Sequence, residues 1–155
     1  MRKTCVILLP ILFSFHSFAK KADQILGFWL SESGKAVIEI YKKENDKFEG
    51  KIVWLKDIHT GKVEDKLDKN NPDKELQKRS LQGLVNLTGF SFEDEEWEGG
   101  EIYDPESGKT YSAKMSLESP DTLSLRGYVG IPLFGRTSTW SRQKSKIPDE
   151  YQTKD

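Results

Sequence analysis

Turn residues recur along this chain at intervals too short for helices. From Leu26 onward, glycines and Asp/Asn/Pro/Ser clusters leave runs of about six to nine residues, the length of strands, and in several runs apolar and polar side chains alternate. These runs predict eight strands, at Leu26–Ser31, Lys35–Lys42, Phe48–Leu55, Gln82–Leu87 (its extension to Phe92 left open), Trp97–Tyr103, Lys109–Leu117, Thr122–Val129 and Phe134–Arg142. In the second run Ala36, Ile38 and Ile40 share one side; in the third, Phe48, Ile52 and Trp54 do; in the sixth, Tyr111, Ala113, Met115 and Leu117 do. Residues 56–80 break the rhythm with charge and few apolar side chains. Within them Asn71-Pro72-Asp73 has the chemistry of a helix start, which predicts a short helix to about Arg79. A connection of that length is either a lid or a mobile loop. Eight strands in sequence predict an all-β, up-and-down antiparallel meander that closes into a barrel, although the same spacing permits a two-sheet sandwich.

The first 19 residues have a different character. Arg2 and Lys3 precede the almost wholly apolar stretch Cys5–Phe15, and Ser17 and Ala19 are small residues placed for cleavage after Ala19. That is the pattern of a removable signal peptide, and the apolar run is shorter than the roughly 20 residues of a bilayer span. The expected organisation is a signal peptide at 1–19, a barrel domain at 20–143 and a polar, frayed tail at 144–155. The expected home is periplasmic or secreted, with no membrane-spanning segment after cleavage. Removing Arg2 and Lys3 from 24 basic residues leaves 22 against 25 acidic, a net charge of −3, and Cys5 is the sole cysteine. Disulfides, thiol catalysis and cysteine metal sites are therefore excluded from the remaining chain, and no basic stripe points to nucleic acid.

Gly27-Phe28-Trp29 stands at the start of the first predicted strand, and Thr139-Trp140-Ser141-Arg142 closes the last. A Gly-x-Trp in the first strand with an Arg ending the last resembles the lipocalin signature, which implies that Arg142 lies beside Trp29 at the closed end of a barrel. The resemblance extends through Gly50-Lys51-Ile52-Val53-Trp54, Asn71-Pro72-Asp73, Trp97 to Pro105, Gly108-Lys109-Thr110-Tyr111, and Leu125-Arg126-Gly127-Tyr128 through Gly135-Arg136-Thr137. These blocks are similar to a bacterial family of exported, lipocalin-like (calycin-type) domains of unknown function. The resemblance implies a small β-barrel, a bacterial source and no particular activity.

Catalytic chemistry is not apparent. Glu93–Glu96 reads as a solvated turn, and Asp57, Asp65, Asp68 and Asp73 lack the spacing of a calcium loop. His59 reads as a surface residue, and Asn86-Leu87-Thr88 as a glycosylation sequon without use in a bacterium. No cofactor or metal is implied, and the chain is read as a binding protein rather than an enzyme. If the strand parities hold, Ile38, Ile40, Ile52, Trp54, Tyr111 and Met115 line a mostly apolar interior suited to a small hydrophobic or amphipathic molecule. Arg126 with Tyr128, and Arg136 with Trp140, are the candidate polar handles for an acidic lipid head group. Leu123 and Leu125 compete with Arg126 for the inside, which favours Arg136. A barrel filled solid, docking an envelope protein through loops 56–80 and 130–133, is the alternative.

Overall fold

The computed structural model describes residues 19–152, so all of the expected signal peptide except Ala19 lies outside the described residues. Eight antiparallel strands form one closed barrel in sequence order: β1 (Gly27–Leu30), β2 (Ala36–Lys42), β3 (Phe48–Leu55), β4 (Val85–Glu93), β5 (Glu96–Asp104), β6 (Lys109–Ser119), β7 (Thr122–Tyr128) and β8 (Arg136–Gln143). β8 returns to pair with β1, Trp29 opposite Arg142, so the sheet has no free edge. The barrel stands and the sandwich is excluded.

One end is closed by packing. A 3-10 turn at Asp23–Ile25 crosses beneath the barrel, tied by the Trp29 indole N–H to the Ile25 carbonyl at 2.8 Å and by the Trp97 indole N–H to the Ala22 carbonyl at 3.2 Å. Trp29, Phe48, Phe90 and Trp97 are fully buried here with Leu87 and Leu123. The Arg142 guanidinium lies 4.2 Å from the Trp29 ring centroid and donates to the carbonyls of Leu26, Gln24 and Pro120 at 2.9, 2.6 and 2.7 Å. It thus combines a cation–π contact with the capping of loop carbonyls that have no strand partner. Gly27 makes that approach feasible: its φ of +120° disfavours any side chain, and a Cβ there would meet the guanidinium at 3.3 Å.

The loop between β3 and β4 departs from expectation. Its only α-helix is the single turn α1 (Lys56–His59), and the helix expected from Asn71 is reduced to a 3-10 turn at Leu76–Lys78. The Asn71 side chain does accept from the Asp73 N–H at 2.9 Å, as a cap would. Its amide, however, donates to Asp68 at 2.8 Å and to the Tyr103 hydroxyl oxygen at 3.1 Å, which ties the segment to the barrel wall. β4 starts at Val85 rather than Gln82, because Gly83 takes a φ of +90° and the 80–84 stretch turns onto β3. Residues 144–152 are not a frayed tail. Pro148 is fully buried and the Tyr151 ring sits 5.2 Å from that of Trp54.

Candidate functional site

Above the packed floor the barrel opens into a cavity of about 850 Å³. Its apolar wall includes Ile38, Ile52, Leu55, Ile102, Leu125 and Trp140; Tyr111, Asn86 and Ser138 are polar members, and the lining also carries charged side chains of both signs, among them Arg136, Lys66, Glu32 and Asp104. Small inward positions create the space. Gly127 on β7 lies opposite Ala113 and Arg136, and a Cβ built on it would meet only Ile102 and Tyr111 atoms at 3.5 and 3.7 Å.

The sequence-predicted residues divide. Ile38, Ile52, Tyr111, Tyr128, Arg136 and Trp140 line the cavity. Ile40 and Met115 face inward as expected but belong to the packed core beneath it, outside the cavity lining. Trp54 is on the wrong face. Val37 pairs with Trp54 whereas Ile38 pairs with Ile52, so Val53 is an extra residue on β3. A one-residue bulge reverses side-chain parity, sending Trp54 outward to meet the His59 ring at a 5.5 Å centroid distance and placing Leu55 in the cavity wall. Arg126 is also outward: its guanidinium clamps the β7–β8 connection through the Pro132 and Leu133 carbonyls and the Thr137 hydroxyl, at 2.6, 3.2 and 2.7 Å. Leu123 and Leu125 take the inward parity instead, both buried.

Arg136 is exposed at the rim, and among the described residues no hydrogen bond or ion pair engages its side chain. The Trp140 indole N–H donates to Ser138 at 3.0 Å, which leaves the Ser138 hydroxyl proton available. The rim continues into an apolar lip on the β7–β8 connection, where Val129, Ile131, Leu133 and Phe134 are 73, 52, 75 and 77% exposed.

The opposite rim is a fastened strap formed by residues 62–80. Asp68, fully buried, accepts from Tyr103, Asn71 and Arg79 at 2.6, 2.8 and 3.0 Å. Burial by itself raises its carboxyl, but those three donors outweigh burial and hold it below the ordinary carboxylate value. Asn70 donates to the carbonyls of Pro105 and Glu106 at 3.2 and 2.9 Å, joining the strap to the β5–β6 turn. Gly108 permits this closeness, since a Cβ there would fall 1.9 Å from the Asn70 carbonyl oxygen. No group of three or more His, Cys, Asp or Glu side chains among the described residues is arranged to hold a metal ion.

Sequence reading missed Asn86, Leu55, Leu81, Ile102 and Gly127 as lining residues. A signal existed for Asn86, a polar residue between Val85 and Leu87 in a strand, where asparagine is disfavoured.

Residues 27–142 match the family described as an uncharacterized protein conserved in bacteria, DUF2147. The chain belongs to that family. Its barrel is also similar to Protein HP1028 from Helicobacter pylori, described as belonging to the lipocalin family, with a TM-score of 0.67 and 26% identity over 81% of this chain and 84% of that one. No curated protein matches the sequence. The fold is thus a bacterial lipocalin-like barrel, as the Gly27, Trp29 and Arg142 signature implied. Among the described residues, no helix is long and apolar enough to cross a membrane.

Proposed function

We propose that this protein is an extracytoplasmic, non-catalytic carrier or sensor that holds one small, mostly apolar molecule in the open half of its barrel. The observation that carries this reading is the cavity of about 850 Å³, within the roughly 300–1,000 Å³ of small-molecule sites, with apolar walls and an unpaired Arg136 at its rim. The arrangement suits an amphipathic molecule, its tail against Ile38, Ile52 and Leu125 and an acidic head group on Arg136. No cofactor enters this scheme. The signal-peptide pattern of residues 1–19 supports a periplasmic or secreted location.

Native mass spectrometry of protein purified from its own host tests the proposal. The expected result is a chain carrying one small molecule that organic extraction removes. A bare chain that also fails to take up long-chain fatty acids would exclude it.

The exposed apolar lip supports a second reading, in which Val129–Phe134 docks on an envelope protein. Removal of the lip would then abolish partner capture and leave small-molecule binding intact.

A further inference from the structure

Asn86 is only 7% exposed and lines the cavity, and no protein group bonds its side-chain amide: the oxygen is sealed off without a donor, and the NH2 is the part left open. Its placement follows from the backbone. Gly50 pairs with Leu87 and Lys51 with Val85, so Asn86 is an extra residue on β4, and Leu87 packs into the core while Asn86 reaches the cavity. Bulges of this kind re-aim a side chain at the cost of strand regularity. The apolar residues sharing the wall, Ile52, Ile102 and Leu125, offer no side-chain acceptor. A hydrocarbon filling the space would seal that NH2 from water with nothing to bond, which is unfavourable.

We infer that Asn86 sets the ligand class: it donates a hydrogen bond from its side-chain NH2 to a hydroxyl or carbonyl oxygen carried on the apolar, buried part of the bound molecule. This rests on the cavity reading above and narrows it. A site that hydrogen-bonds a hydroxyl rejects the analogue lacking it more strongly than an apolar pocket discriminates by size. With Arg136 free at the rim and Asn86 enclosed in the wall, the matching chemistry is an acid-headed chain with a hydroxyl or carbonyl oxygen along its length.

The test measures binding of stearic acid and of a set of its monohydroxy positional isomers to the wild-type chain and to Asn86→Leu. In the wild type at least one isomer is expected to bind about tenfold more tightly than stearic acid, roughly the strength of one buried hydrogen bond. In Asn86→Leu that preference disappears while stearic acid binds as well or better. The inference is overturned if no isomer exceeds stearic acid, or if the preference survives the substitution. Asn86→Ala carries the same comparison should the leucine variant not fold. Failure of all the acids to bind would overturn the cavity reading itself, whereas binding without preference overturns only the role of Asn86.

Discussion

At the closed end of the barrel, inward positions carry Trp29, Trp97, Phe48 and Phe90, and the two indole N–H groups donate to backbone carbonyls of the segment that crosses beneath them. At the open end, the corresponding positions on β7 and β8 carry Gly127, Ser138 and Arg136, and a cavity remains. The same strands build both ends, so side-chain volume, together with the bulges in β3 and β4, decides where the tube is solid and where it is hollow. Eight strands are the size at which either outcome is available. One half of the barrel therefore supplies stability and leaves the other free to expose unpaired groups.

That division is broken most directly by truncating each half in turn. Trp29→Ala should cost about 3–5 kcal/mol in denaturant unfolding, through loss of a large buried aromatic and its support of Arg142. Ile102→Ala, which borders existing space, should cost under about 2 kcal/mol. Equal losses would mean that the upper half is packed as tightly as the floor.

The strap provides the next test. Asp68→Asn should cost about 2 kcal/mol at neutral pH, because it weakens charge-assisted bonds from Arg79 and Tyr103. Since the folded-state carboxyl titrates below its ordinary value, its contribution is complete above an unfolded pKa of about 4 and is lost as pH falls through the depressed value. The difference in melting temperature between wild type and variant should accordingly shrink on acidification. A constant difference down to the acid limit would show that the carboxylate charge is immaterial.

The smallest effect concerns the rim. Arg136→Met should weaken an acidic lipid about tenfold and leave its neutral analogue nearly unchanged, in paired calorimetric titrations. Equal losses would remove Arg136 as a head-group anchor.

The periodicity of the sequence carried most of the fold and part of the site. Ile38, Ile40, Tyr111 and Met115 face inward as their alternation requires, and Trp29 meets Arg142 as the signature implies. The failures arise where pairing register, a long-range property, overrides local alternation. The bulge at Val53 turned Trp54 outward, and the one at Asn86 brought a residue read as an idle sequon into the cavity. Neither bulge is written in its own strand alone, since each depends on how far the partner strand has advanced. Asn71 illustrates the same limit, because its capping chemistry is present but its amide is committed to Asp68 and Tyr103.

The hollow upper half is tested most directly by filling it. Gly127 has a backbone that accepts a side chain and a Cβ position in ordinary contact with its neighbours, so Gly127→Phe places a ring in the cavity without disturbing the floor. Titrated with a fluorescent polyene fatty acid, the wild-type chain should bind one molecule per barrel, and Gly127→Phe should lose that binding while keeping its circular dichroism and melting temperature. A variant that folds and still binds the probe as well as the wild type would contradict the account.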